Sequence, residues 1–534
     1  MIIVNCNVCK KRTVQSIVVF TVLWVFVISG CATVPELTAE DRKTDIQFMA
    51  DWARDCSPFV ELAETHKGTP SYKALLPKYL EYAEQAESNE EFCQVVKEYY
   101  KLMCPAGHVG LIDEDTLKVA RIANLLGIID VDIDTSSIGK AIYWPKLVSG
   151  RLYARAHPPF SITFKDDKYL IDEDWEVAGA TVPRGSQIVK VNGMSCSAYL
   201  DFIKENTPLK YDAYPKDWIE KYLLIIDEGE DFKGWQVDFF LPDKSTHSAF
   251  VPKIQGSPAS KRDFNPVESK DNCTCIELTD QVAYIRIKSM SAGTLSAIFP
   301  SIIKKDGKII KNFLDNANGK YRKLIIDVRR NGGGKPYYFF ENLIRPFLNE
   351  SVTYEQVAGI RRKCRDNLKK SVLKTFRKNV SEKRQHVVST EEIDSPDGFD
   401  PDDWAFYRLR RKIEPRNRYN FDGSIYILID RRTFSAADDY ANAVKRIGFA
   451  KLVGQNTSGG SAAYISPSVI RLPASSMIFK VETELVINPD GSINELFGTP
   501  PDIQLEPAES PKSITKQELL KDEWIKWILA DSRD

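Results

Sequence analysis

The sequence predicts an α/β core reached through a small N-terminal helical region and a middle region of short strands. Three observations carry this reading. First, apolar runs rich in β-branched residues at 282–287, 324–328 and 425–429 alternate with stretches of helical spacing at 303–314 and 440–447, the pattern of an α/β unit. Second, apolar residues between 41 and 103 recur at helical intervals, with Ile46, Met49, Trp52 and Ala53 on one face and Phe92, Val95, Val96 and Tyr99 on another. Third, from 142 to 254 the pattern shortens to strands separated by turn residues.

At 534 residues the chain is long enough for two or three domains. Lys and Arg number 73 against 74 Asp and Glu, a net charge of −1, which gives no reason to expect nucleic acid or another polyanion as partner. The boundaries predicted are 1–30, 31–140, 141–262 and 263–534, the last holding a charged insertion near 355–415. That insertion places many Lys and Arg at 361–384 beside many acids at 391–403. It reads as a solvated, partly self-neutralising segment or as a lid facing a ligand.

The first thirty residues read as a targeting segment. Lys10, Lys11 and Arg12 precede an almost unbroken apolar run at 16–28, shorter than the ~20 residues a spanning helix needs. It ends Ile28-Ser29-Gly30-Cys31, which resembles the bacterial lipoprotein signal. That resemblance implies lipidation of Cys31 and a mature chain held at the cell envelope by lipid rather than by a spanning helix. Beyond Cys31 an odd number of cysteines remains, so at least one thiol stays unpaired. A bridge among Cys56, Cys93 and Cys104 is possible. Cys273-Thr274-Cys275 has no histidine near it and does not read as a metal site.

In order along the chain, the helical region closes on Cys104-Pro105-Ala106-Gly107-His108-Val109-Gly110. His108, between glycines, has the context most like an active site among the five histidines. Further on, Pro183-Arg184-Gly185-Ser186-Gln187-Ile188-Val189-Lys190-Val191-Asn192-Gly193, followed by helical spacing at 198–203, resembles the second half of a PDZ domain. The resemblance implies capture of an extended peptide at a sheet edge. The strand at 324–328 empties into Arg329-Arg330-Asn331-Gly332-Gly333-Gly334-Lys335-Pro336. Glycines there let backbone amides approach a ligand, and no Walker pattern follows to make the loop a phosphate cradle. The strand at 425–429 leads to Ser435, placed where a helix begins. Such a serine can cap the helix, or it can act as a nucleophile beside helix-start amides able to hold an oxyanion. The last stretch, 515–530, opens with the capping-box pattern Thr515-Lys516-Gln517-Glu518 and reads as one packing helix.

Four ordered motifs join these pieces. They are Asp327-Val328-Arg329-Arg330-Asn331-Gly332-Gly333-Gly334; Thr433-Phe434-Ser435-Ala436-Ala437-Asp438; Leu452-Val453-Gly454-Gln455-Asn456-Thr457-Ser458-Gly459-Gly460; and Glu495-Leu496-Phe497-Gly498-Thr499-Pro500-Pro501-Asp502-Ile503. Together they resemble the C-terminal-processing, or tail-specific, serine peptidase family, in the branch related to the tricorn core. The resemblance implies a crotonase-like (ClpP-type) core and acyl-enzyme cleavage of peptides or protein tails without metal or cofactor. Ser435 would be the nucleophile, His108 its base and Glu495 the carboxylate that orients His108. The amides of Ala436 and of Gly333 or Gly334 would hold the oxyanion. The lysine base of one branch has no counterpart, because Ser458-Gly459-Gly460-Ser461 offers none and Lys451 reads as a strand start. Ala106 and Gly107 also depart from the family pattern before the histidine. The alternative is an envelope protein that binds a peptide or a hydrophobic ligand on the same scaffold without turnover.

Overall fold

The computed structural model describes residues 34–125, 135–152, 156–160, 162–165, 167–171, 174–177, 180–206, 223–224, 233–255, 271–290, 301–367, 387–416, 418–460, 468–506 and 513–531. Cys31 and the residues read above as a targeting segment lie outside them, as do parts of the middle region and of the charged insertion. Among the described residues no helix is long and apolar enough to cross a membrane.

Among the described residues four helices come first: α1 (Ala39–Cys56), α2 (Val60–Lys67), α3 (Tyr72–Gln85) and α4 (Asn89–Met103). Thr38 and Asp41 close a reciprocal capping box on α1, and Ser88 accepts the Glu91 amide at the start of α4. The two faces read from the sequence meet in one core with Ile46, Met49, Ala53, Phe92, Val96 and Tyr99 fully buried. The two-residue strand β1 (Gly110–Leu111) follows, then α5 (Glu114–Leu125), α6 (Thr135–Ala141) and α7 (Tyr143–Leu152). Residues 143–152 are thus helical where strands were expected. Trp144, fully buried in the N-terminal core, holds α7 there.

The middle region is a five-strand antiparallel path with its own core. In chain order the strands are β2 (Ile162–Lys165), β3 (Lys168–Ile171), β4 (Gln187–Val191), β5 (Gly234–Phe240) and β6 (Thr246–Pro252), arranged β6-β5-β4-β3-β2. Helix α8 (Cys196–Asn206) follows the turn at Asn192 and Gly193, both at positive φ. Ile188, Val191, Tyr199, Trp235, Val237 and Val251 fill the interior.

The third region is built on β7 (Cys273–Thr279), β8 (Val282–Ile287), β9 (Lys323–Asp327), β13 (Ser424–Ile429), β14 (Lys451–Gly454) and β18 (Ile503–Gln504) in that spatial order. All but the β7–β8 pair are parallel, with Ile285 beside Ile326 and Ile326 beside Ile427. One face (Ile285, Ile326, Ile427) packs on α9 (Ser301–Asn316) and on the helix that follows Ser435. The other (Tyr284, Ile325, Tyr426, Leu428) packs on the C-terminal helices. Burial on both faces explains why the central strands β8, β9 and β13 are mostly apolar instead of alternating.

Helix α10 (Pro336–Phe339) begins on Pro336, as its position just inside the helix start favours. The charged insertion is more ordered than its composition foretold. β10 (Val352–Arg361), β11 (Val387–Ile393) and β12 (Trp404–Ile413) form an antiparallel sheet, with β10 also pairing β17 (Glu484–Ile487) and the short helix α11 (Arg362–Asn367) following β10. Trp404, Phe406 and Leu409 are buried, while Arg410 pairs with the facing Glu355 at 2.8 Å. Cys56 packs there with Ile360 and Cys364, and Cys56, Cys93 and Cys104 are all free thiols.

The hairpin of β15 (Ser468–Arg471) and β16 (Ile478–Val481) crosses between regions. Its Ile470, Leu472, Met477, Phe479 and Val481 belong to the core of the N-terminal helices. Asp45 of α1 accepts the amides of Ala474 and Ser475 at 2.8 and 3.0 Å, and Trp144 donates to the Ser475 carbonyl at 2.9 Å. β1 adds to the same hairpin as a third strand. The C-terminal stretch divides into α14 (Lys516–Leu519) and α15 (Glu523–Ala530) rather than one helix. Asp522 caps α15 and receives Arg329 at 2.8 Å, so a charge beside the glycine loop fixes the break.

Candidate active site

Ser435 stands between β13 and α12 (Ala436–Ile447) with φ 59° and ψ −129°, a conformation L-residues rarely adopt. Surrounding bonds enforce it. The Ser435 amide donates to the Gly459 carbonyl at 2.8 Å, and its carbonyl accepts the Asp439 amide at 2.9 Å. The Phe434 amide donates to the Asn331 carbonyl at 3.0 Å, tying the serine turn to the glycine loop. The side chain makes no capping bond. Of the two readings of Ser435, the structure removes the cap: the hydroxyl faces elsewhere, and local strain of this kind accompanies sites of chemistry.

What it faces is His108. Nε2 lies 2.6 Å from Ser435 Oγ, and the imidazole packs against the Phe434 ring at 5.0 Å between centroids. On the other side of the ring, Nδ1 is 3.0 Å from Glu482 Oε1, which also accepts the His108 backbone amide at 2.8 Å. The His108 side chain is about one-quarter exposed and that of Glu482 is buried. A carboxylate only accepts, so Nδ1 carries the proton and Nε2 presents its lone pair to the hydroxyl.

Glu495 does not take the place read for it. It sits in α13 (Asn494–Phe497), buried, and neither carboxyl oxygen has a hydrogen-bond partner among the described residues. Burial pushes its pKa well above the ordinary carboxylate range, and Asp438 and Glu482 add to the shift. A carboxyl group without a bond to His108 does not orient it. Glu482 does, one residue past β16, and the sequence reading missed it. The available signal was Glu482 and Glu484 inside the largely apolar run at 477–487, which also holds Lys480 and Thr483.

The glycine loop lies directly under the serine turn. Gly333 has φ 87°, and a Cβ there would stand 2.6 Å from both the Phe434 carbonyl and Ser435 Cβ. Only glycine admits this approach. The Gly333 amide is engaged, donating to Asn331 Oδ1 at 2.9 Å, and its carbonyl accepts the Met290 amide at 2.9 Å. Among the described residues the amides of Gly334 and Ala436 have no acceptor. Two backbone donors therefore remain beside Ser435, one from the loop and one from the first position of α12, as a site for developing negative charge requires.

Carboxylates beneath the site hold its loops together. Asp438 accepts from Thr457 Oγ1, from Thr499 Oγ1 at 2.6 Å and from Asn494 Nδ2 at 3.3 Å, joining α12 to two loops. Burial pushes Asp439 up to about 6, against the pull of Arg411. Burial alone would also raise Asp327, but the charges of Arg329 and Arg286 reverse it and hold the carboxyl at about 2. Arg329 bonds Asp327 at 2.6 Å and Asp522 at 2.8 Å, so the root of the glycine loop is fixed by a buried ion network. Among the described residues no cluster of three or more His, Cys, Asp or Glu is arranged to hold a metal.

Residues 281–505 match Peptidase family S41. No curated protein matches the chain. Among solved structures, mature CPAF complexed with lactacystin is 14% identical, with 92% of this chain and 97% of that chain covered and a TM-score of 0.53. Mature CPAF in a second structure is likewise 14% identical over 88% and 93%, with a TM-score of 0.52. The photosystem II D1 C-terminal processing protease is 13% identical over 92% and 98%, with a TM-score of 0.39. At these identities the CPAF likeness is one of fold.

Proposed function

From the premise that the chain is a serine-type peptidase, we propose that it cleaves peptides or protein tails by acyl transfer through Ser435, His108 and Glu482, at the cell envelope. The single observation that supports the proton route is the line of contacts Ser435 Oγ–His108 Nε2 at 2.6 Å and His108 Nδ1–Glu482 Oε1 at 3.0 Å. A serine hydroxyl is a weak nucleophile without a base in reach. His108 takes its proton as Oγ attacks the scissile carbonyl, and Glu482 holds the tautomer and stabilises the imidazolium that forms. The carbonyl oxygen becomes an anion beside the amides of Ala436 and Gly334, each donor contributing roughly 10²–10³ in rate. Collapse of the tetrahedral intermediate expels the amine, which takes the proton from Nε2. Water then repeats the sequence on the acyl-enzyme.

The sheet of β2–β6 with α8 is read as a PDZ-like module that receives an extended segment of substrate. Lipidation of Cys31 is read as the tether. Replacing Cys31 by Ser should release the expressed protein from the membrane fraction, and unchanged membrane retention would refute the lipid anchor.

Fluorophosphonate labelling tests the chemistry. Wild-type protein should label at Ser435 and cleave a peptide library, whereas Ser435→Ala and His108→Ala should do neither. A protein that binds peptides without turnover would leave the wild type unlabelled while retaining affinity for them.

A further inference from the structure

The strand β1 is only two residues long, yet it determines where His108 lies. Its pairing with β16 is antiparallel, Gly110 opposite Lys480 and Leu111 opposite Phe479, and the Ile112 amide continues the ladder to the Ile478 carbonyl at 3.0 Å. Carried two positions the other way, the same register sets His108 opposite Glu482. His108 and Glu482 lie just beyond the ends of the two strands, at positions that this register sets opposite each other, and cross-strand neighbours have Cβ atoms about 4.5–5.5 Å apart. A slip of one residue would turn the opposing side chain to the other face. A ladder this short specifies its register weakly, so something else must hold it.

Tyr100, near the end of α4, reaches the rung where the slip would begin. Its hydroxyl accepts the Gly110 amide at 2.6 Å and donates to the Lys480 carbonyl, the register partner of Gly110. One oxygen thus joins both strands, two positions past His108 on one and two before Glu482 on the other. The ring stacks on Phe479 at 4.6 Å between centroids and is buried. Burial raises the phenol well above its ordinary pKa, which keeps the proton needed for donation to Lys480.

We propose that the Tyr100 hydroxyl is a positioning group that fixes the register of β1 on β16 and with it the alignment of His108 on Glu482. It touches no substrate and acts through those two side chains. The proposal rests on the proton route given above.

The test uses the full chain and rates per folded molecule. Tyr100→Phe keeps the ring and its stacking and removes only the bridge. It should lower kcat at least 30-fold with KM within twofold, and slow fluorophosphonate labelling of Ser435 in parallel. Phe479→Leu, which loses the stacking but keeps the hydroxyl, should lower the thermal midpoint while leaving kcat within threefold. In a Glu482→Gln background, Tyr100→Phe should cost less than a further threefold, because the contact it aligns is already gone. The proposal is overturned by kcat within threefold of wild type in Tyr100→Phe, by an equal loss in Phe479→Leu, or by an undiminished loss in the Glu482→Gln background. Cleavage by Ser435→Ala would instead overturn the proton route itself, whereas an inactive Ser435→Ala beside a fully active Tyr100→Phe removes only the bridge.

Discussion

Gly107 and Glu482 compete for one space: a Cβ on Gly107 would collide with Glu482 Cγ and stand 3.2 Å from its carboxyl carbon. Gly107 also has φ 89°, which strains any other residue. Gly107→Ala should therefore push Glu482 off His108 and reduce kcat/KM by at least ~10²-fold, of the order seen when a catalytic histidine loses its proper orientation. The strand cores are remote from this change, so the far-ultraviolet circular dichroism should match wild type. Wild-type kinetics in this variant would remove Glu482 from the proton route.

The two glutamates separate cleanly by substitution. Glu482→Gln should lower kcat by roughly 10²–10⁴ through loss of the charge and the tautomer it selects. Glu495→Gln should keep activity within about tenfold, the range expected of a neighbouring side chain that makes no transition-state contact.

Glu495 also leaves a mark on stability. Glu495 has a folded pKa above its unfolded value, so its contribution is fully present below about 4.5 and is lost as pH rises toward the folded value. Glutamine does not titrate. The midpoint of Glu495→Gln relative to wild type should rise with pH, and thermal melts between pH 4 and 8 would read the trend.

Close contact between the loop and the serine turn makes Gly333 a steric test of the site. Gly333→Ala places a methyl 2.6 Å from Ser435 Cβ and 2.7 Å from the Ala436 nitrogen. The serine and one oxyanion donor must both shift, and labelling by fluorophosphonate should slow at least ~10²-fold, about the effect of losing one such donor. A variant that labels at the wild-type rate would show that the loop can yield without disturbing the nucleophile.

The ion network under the loop predicts acid sensitivity. Asp327 has its pKa held at about 2, below the unfolded value. Its contribution is therefore present above pH ~4 and lost as pH falls through about 2. Asp327→Asn leaves the buried guanidinium of Arg329 short of charge and should destabilise the fold by about 3–5 kcal/mol at pH 7, the usual effect of removing one member of a buried pair. Urea unfolding at pH 7 and pH 3 measures both statements.

The sequence made some parts of this site legible and hid others for a physical reason. Ser435 and His108 stand out because their signals are local, a strand-to-helix junction and a histidine between glycines. The parallel core was readable because burial on both faces leaves mostly apolar strands. Glu482 was not, since its approach to His108 is set by strand register between segments 374 positions apart. The same holds for Arg329 and Asp522, whose pairing breaks the C-terminal helix and has no local signature. The sheet of β10–β12 was obscured because its outward charges dominate the composition while Trp404, Phe406 and Leu409 do the packing.

The grip of Asp45 and Trp144 on the β15–β16 turn has a consequence for the order in which the protein comes into being. Synthesis yields the imidazole long before the hydroxyl, 327 positions later, and later still the carboxylate. On the proton route proposed above, a growing chain passes through most of its length unable to cut anything. Cleavage becomes possible only once the hairpin has emerged and docked back onto helices already made, so the molecule's own topology guards the nascent polypeptide against premature activity.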